Sequence, residues 1–193
     1  MLRIVKYPHP ALRHKSRPLR RVDGELKKIV REMFDLMYEH KGIGLSANQV
    51  DLPYRMFVLN LESDPTKGVE HVFLNPVIAR RSGTAEAEEG CLSFPEIYAP
   101  VKRSEKIVIS AYNAEGEEVN CELDGLFARG AQHEYDHLDG ILFTDRAEPG
   151  TLREITEEDL ETEDREGVEA GETGSGQEPV SDQATEASVA ENA

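Results

Sequence analysis

Six consecutive residues, Gln132-His133-Glu134-Tyr135-Asp136-His137, restrict this chain more than any other stretch. In a helix, positions four apart lie one above the other, so His133 and His137 present two imidazoles side by side. That spacing lets a single helix grip one divalent metal, with Glu134 beside the open position and free of ligand duty. Leu126, Phe127, Ala131, Tyr135 and Leu138 give the helix apolar positions on more than one narrow stripe, which places it in the middle of a domain. Asp124 is positioned to cap its start and Gly140 its end. Buried imidazoles need partners, and this favours a metal over two surface histidines that share this spacing by chance.

Two histidines leave a third ligand to be found. The pattern His-Glu-x-x-His-x-x-Gly-x-x-His would take it from the same stretch; Gly140 fits, but Phe143 stands where the third His belongs. A glutamate from a later helix is the other known solution, yet every glutamate after Gly150 sits in a polar, poorly patterned tail. Both peptidase readings stall there. Of the two cysteines, Cys121 lies mid-strand and reads as a small buried hydrophobe. Cys91 follows a glycine in the polar stretch Glu89-Gly90-Cys91-Leu92-Ser93, read as a loop between strands. A thiolate with two imidazoles makes a tetrahedral site with its fourth position open.

Charge separates the chain into two parts. The net charge of −16 over 193 residues is concentrated in residues 154–193, which hold 14 acidic residues and one basic, Arg165. Residues 1–153 carry only −3, so no nucleic-acid footprint is expected. Two cysteines make no disulfide framework, no apolar run reaches membrane-spanning length, and Met1–Pro8 lacks the core of a signal peptide. A soluble, cytoplasmic protein follows. Residues 1–153 are expected to be the catalytic domain. Residues 154–193, with almost no large apolar side chain after Glu163, are expected to be mostly disordered, though Leu152, Ile155 and Leu160 could form a short helix over 151–161.

Along the body, Asp23 is expected to cap a helix reaching about His40, with Leu26, Ile29, Val30, Met33, Phe34 and Met37 on one face and Gly42 as its stop. Strands are expected at Arg55–Asn60 and Val69–Asn75, the latter extending through Val77–Arg80. Lys106–Tyr112 and Glu118–Leu123 should pair as a hairpin. The fold class is therefore α+β: antiparallel sheets packed around a central metal-binding helix, with an N-terminal helix and a disordered acidic tail.

With these residues assembled, the chain resembles the peptide deformylase family, metallohydrolases that remove the formyl group from N-formylmethionine on new polypeptides. Gly42-Ile43-Gly44-Leu45-Ser46-Ala47-Asn48-Gln49, Glu89-Gly90-Cys91-Leu92-Ser93 and Gln132–His137 are similar to the family's three motifs, in its order, and the likeness covers roughly residues 1–150. Ser46 stands where the family usually has Ala, and Tyr98 where some members carry an Arg that contacts substrate. The resemblance implies that Cys91, His133 and His137 hold the metal, with Fe2+ as the native ion and Zn2+, Ni2+ or Co2+ acceptable to the same ligands. It implies Glu134 as general base and acid, and Gln49 with the backbone N–H of Leu92 as oxyanion donors. Ile43, Gly44 and Gly90 would flank the substrate backbone. Glu89, Arg103 and Asp136 would lie behind the ligands, or form ordinary salt bridges. The implied partner is an N-formylmethionyl peptide or nascent chain, met by a monomer. Some members dock on the ribosome through a basic C-terminal extension; a tail at −13 is repelled by phosphate, so no direct nucleic-acid binding is expected here. The rivals are a zinc peptidase, and a formyl-peptide or metal binder without turnover, for which Glu134 and Gln49 would be superfluous.

Overall fold

The computed structural model describes residues 1–154. Helix α1 spans Gly24–Glu39 and α2 Gly125–Leu138. The strands are β1 (Gly44–Ser46), β2 (Met56–Leu59), β3 (His71–Ser82), β4 (Ala85–Cys91), β5 (Phe94–Arg103), β6 (Lys106–Tyr112), β7 (Glu118–Asp124) and β8 (Arg153–Glu154). They form one five-stranded sheet in the order β1-β2-β3-β6-β7 and a three-stranded sheet β4-β5-β8, with every pairing antiparallel.

The run Met56-Phe57-Val58-Leu59 shows how the layers are set. Alternate side chains of a strand point to opposite faces. Met56 and Val58 join Leu26, Val30, Met33, Phe34 and Met37 of α1, whereas Phe57 and Leu59 join Ala128, Ala131 and Leu138 of α2. All four are buried because helices cover both faces of the sheet, which is why β2 reads as unbroken hydrophobics. A third cluster, Leu12, Phe94, Ala99, Val101, Leu142 and Phe143, lies beside the smaller sheet. From Ala128 onward most of α2 is buried, including Ala128, Ala131, Gln132, His133, Glu134, Asp136, His137 and Leu138. Of the apolar positions that placed it in the middle of a domain, Leu126 is instead exposed at its start and Phe127 and Tyr135 are only partly buried.

Several sequence expectations change in detail. Asp23 does cap α1, its carboxylate accepting from the Leu26 N–H at 3.0 Å. The helix, however, stops at Glu39, and Lys41 rather than Gly42 takes the left-handed turn at φ 54°. Gly42 instead packs against Leu92: a Cβ there would meet Leu92 Cδ1 at 2.6 Å and make that side chain shift. Asp124 occupies the N-cap position of α2 without capping it, because it is also the last paired residue of β7, opposite Lys106. Gly140 ends the helix as expected, at φ 71°, with its N–H on His137 O at 2.9 Å.

The stretch around Cys91 is a strand end rather than a loop. β4 runs through Cys91, and only Leu92 and Ser93 separate it from β5. Its sequence, Ala-Glu-Ala-Glu-Glu-Gly-Cys, has little strand propensity. Pairing with β5, from Ala85↔Arg103 to Gly90↔Tyr98, makes it a strand. The glycine motif likewise contains β1, paired from Gly44↔Leu59 to Ser46↔Phe57. At the other end, Arg153–Glu154 pairs with Ile97 and Tyr98 rather than opening a helix. The remainder of that expected helix, and the disorder expected of the tail, lie outside the described residues.

Candidate metal centre

Helix α2 brings His133 and His137 together with ring centroids 4.9 Å apart and planes at 74°. The end of β4 brings Cys91, whose Sγ lies 3.3 Å from His137 Nε2. One donor atom from each of the three residues falls within 4.8 Å of the others, a spacing at which they could share one metal ion. The donor chemistry fits a divalent cation. Burial opposes a charge on His133, yet the Cys91 thiol and the Glu89 carboxylate raise its pKa to about 10. Burial and the neighbouring His133 keep His137 neutral, so its imidazole is free to act as a donor. Phe143, which stands where a third histidine was sought, instead lies along the His133 ring, with centroids 6.1 Å apart.

His133 is aimed by a line of ions. Its Nδ1 lies 3.0 Å from Glu89 Oε2, which leaves Nε2 to face the centre. Glu89 takes a forked pair from Arg103, Nε to Oε1 at 2.7 Å and Nη2 to Oε2 at 2.8 Å. Arg103 Nη1 reaches Asp136 Oδ2 at 2.6 Å, and Asp136 also accepts from Arg146. Arg103 is only 3% exposed, Glu89 5% and Asp136 7%. Burial alone would neutralise Glu89, but Arg103 and His133 hold its carboxyl well below the ordinary range. The sequence pointed to Glu89, Arg103 and Asp136. It gave no sign of Arg129, which comes from α2 to bond Glu89 Oε1 together with the Ala85 and Val101 carbonyls.

On the other side of the centre hydrogen-bond partners thin out. Glu134 is 5% exposed, its Oε2 and the Nδ1 of His137 are buried without a hydrogen-bond partner, and burial lifts its carboxyl to about 7. Gln49, 1% exposed, turns its amide Nε2 toward Cys91 Sγ and Ser93 Oγ, each at 3.4 Å. Ile43 and Gly44 lead into β1 beside Glu134; a Cβ on Gly44 would come within 2.6 Å of Glu134 Oε1. Gly90 lies under the Tyr98 ring, which a Cβ would approach to 2.6 Å. Leu92 sits in the two-residue turn after Cys91. The fold therefore gathers Gln49, Cys91, His133, Glu134 and His137, with Gly44 touching Glu134 and Gly90 and Leu92 flanking Cys91.

An N-terminal arm, leading into residues 7–13, a stretch that shares in the family resemblance, braces this side. Val5 N–H donates to Gln49 O at 2.8 Å and Tyr7 N–H to Ser93 O at 2.9 Å, while Lys6 Nζ donates to Leu92 O. Asn48, part of the glycine motif but given no role by it, donates from Nδ2 to the His137 carbonyl. Such long-range backbone contacts carry no side-chain pattern by which they could be read in advance.

Residues 1–152 match the family described as polypeptide deformylase. The chain is 51% identical over 154 residues to a peptide deformylase of Rhodopirellula baltica, covering 80% of this chain and 77% of that one. It is 44% identical to that of Neisseria gonorrhoeae over 146 residues, 76% of this chain and 86% of the relative. Among solved structures, a plant peptide deformylase superposes with a TM-score of 0.74 at 44% identity, covering 88% of each chain. The Thermotoga maritima peptide deformylase gives 0.72 at 41%, covering 77% of this chain and 99% of that one.

Proposed function

The chain belongs to the polypeptide deformylase family of metal-dependent hydrolases, and from that premise we propose that it hydrolyses the formyl amide of N-terminal formylmethionine on nascent polypeptides through Glu134, Gln49 and Leu92. The observation that carries this reading is the unpartnered, buried carboxylate oxygen of Glu134 beside the Cys91–His133–His137 donor set.

A divalent cation held by those three residues supplies Lewis acidity. Glu134 takes a proton from the attacking water as its oxygen bonds to the formyl carbon. A carboxyl near pKa 7 is matched to proton transfer at neutral pH. The amide of Gln49 and the Leu92 N–H donate to the formyl oxygen as charge gathers on it. Glu134 then hands its proton to the amine nitrogen, the C–N bond breaks, and formate leaves. Ile43, Gly44 and Gly90 receive the peptide as an added strand; the two glycines leave room where a side chain would strike Glu134 or Tyr98.

Fe2+ is the proposed native ion, with Zn2+, Ni2+ and Co2+ also suited to one thiolate and two imidazoles. The protein works on this reading as a cytoplasmic monomer without direct nucleic-acid or membrane contact, and residues 1–153 carry the activity. No helix among the described residues is long and apolar enough to cross a membrane. Anaerobic assay of the iron-loaded protein on formyl-Met-Ala-Ser, following formate, tests the proposal. Release of formate with turnover supports it; binding of the peptide with no formate, at full metal loading, rejects it.

A further inference from the structure

Gln49 can serve as an oxyanion donor only if its amide presents nitrogen, not oxygen, to the site. The two ends of a primary amide have nearly the same shape, so packing does not choose between them; hydrogen-bond partners do. On the oxygen side there is one residue. Ser46 N–H donates to Gln49 Oε1 at 2.8 Å, and Ser46 Oγ donates to the same oxygen at 2.8 Å. A flipped amide would set its NH2 against a backbone N–H and would leave Nε2 pointing away from Cys91. Asn48 Oδ1, 3.0 Å from Oγ, and the Glu134 carboxylate compete for the hydroxyl's single proton, so the Ser46 N–H is the constant lock on Gln49 and the hydroxyl a shared second one. Ser46 is 0% exposed, so water cannot replace either bond. Ser46 thus offers two donors, its N–H and its hydroxyl, to the oxygen end of the Gln49 amide, whose nitrogen end faces Cys91 Sγ.

We propose that Ser46 is a positioning residue for the reaction: its hydroxyl, together with its N–H, fixes the amide of Gln49 with nitrogen toward the formyl oxygen. This deepens the hydrolytic reading above and rests on it. An alanine at 46 would leave the backbone N–H as the sole lock, removing one of two bonds to Oε1. The amide would then sample the flipped orientation, in which an oxygen faces the developing charge. The cost falls on the step where charge develops and spares substrate binding, because interactions stronger in the transition state than in the ground state act on kcat.

The test is a double-mutant cycle on metal-loaded protein of measured metal content, with Ser46→Ala, Gln49→Ala and the pair assayed on formyl-Met-Ala-Ser. Ser46→Ala is expected to lower kcat about tenfold, near the value of one hydrogen bond, with KM within twofold. In the Gln49→Ala background the same change should cost less than twofold. A readout independent of turnover is the pair of Gln49 side-chain N–H resonances in the 15N-labelled protein, which should shift and broaden in Ser46→Ala. Equal effects of Ser46→Ala with and without Gln49, unmoved resonances, or a rise in KM alone would overturn the role given to Ser46. A Gln49→Ala variant with wild-type kcat would instead overturn the oxyanion assignment on which it rests.

Discussion

His133 and His137 lie one turn apart on the same helix, yet their surroundings differ. Behind His133, Glu89, Arg103, Asp136, Arg146 and Arg129 answer one another with charge-assisted bonds. Around His137 and Glu134 the hydrogen-bonding neighbours are the Cys91 thiol, neutral amides and the Ser46 hydroxyl, and two buried polar atoms have no partner. Buried polar atoms are nearly always satisfied, so the unsatisfied Glu134 Oε2 beside a candidate metal set marks where hydrogen-bonding capacity is kept for a ligand or a reacting group. A saturated network has little to offer a substrate and resists movement instead. On the proposed reading, one flank of α2 is support and the other chemistry.

This contrast can be broken or sharpened by substitution, the largest effect first. Cys91→Ser exchanges a soft thiolate for a poor ligand at the point where the two flanks meet. It is expected to lose most bound Fe2+ and nearly all activity, as metal analysis of the purified protein will read; normal metal content would mean that the site is drawn wrongly. Gln49→Ala, on the chemical flank, is expected to lower kcat by about 10²–10³ while metal content and thermal midpoint stay put. Arg103→Met, on the supporting flank, should show the opposite profile. It leaves Glu89 and Asp136 buried with fewer counter-ions, at a cost of about 3–5 kcal/mol in denaturant unfolding. A cost below about 1 kcal/mol would show that the network supports nothing. Cys121→Ser serves as the smallest change: that side chain lies on β7 beside the second apolar cluster, away from both flanks. It should keep metal and activity and lose no more than about 1 kcal/mol.

The chemical flank was more legible in the sequence than the supporting one, for a physical reason. Two histidines four apart on a helix, with a glutamate between, are a local pattern, and helical geometry alone brings them together. Cys91 needed more, since its place depends on β4, a strand that Glu86, Glu88 and Glu89 disguise as a loop. Pairing with β5 overrides that weak propensity, and local reading does not see it. β5 itself is masked by Pro95 and Pro100, which lie outside Ile97–Tyr98, the two residues paired with β8. The partners of Glu89 come from β5 and α2, separated by up to 44 residues, so the sequence offered candidates without showing that they meet. The role of Ser46 was illegible in the same way: a serine in a glycine-rich stretch looks like a turn residue until its hydroxyl is seen against Gln49.

The central claim is that the carboxylate of Glu134, with its unpartnered Oε2, is held for proton transfer and not for metal binding. It is tested most directly by Glu134→Ala loaded with metal, with metal content and formate release measured on the same sample beside the wild type. Full metal occupancy is expected, with a rate down by at least about 10⁴, at or beyond the upper end of acid–base effects because this base also activates the nucleophile. Near-normal turnover at full occupancy, or loss of the metal itself, would contradict the account.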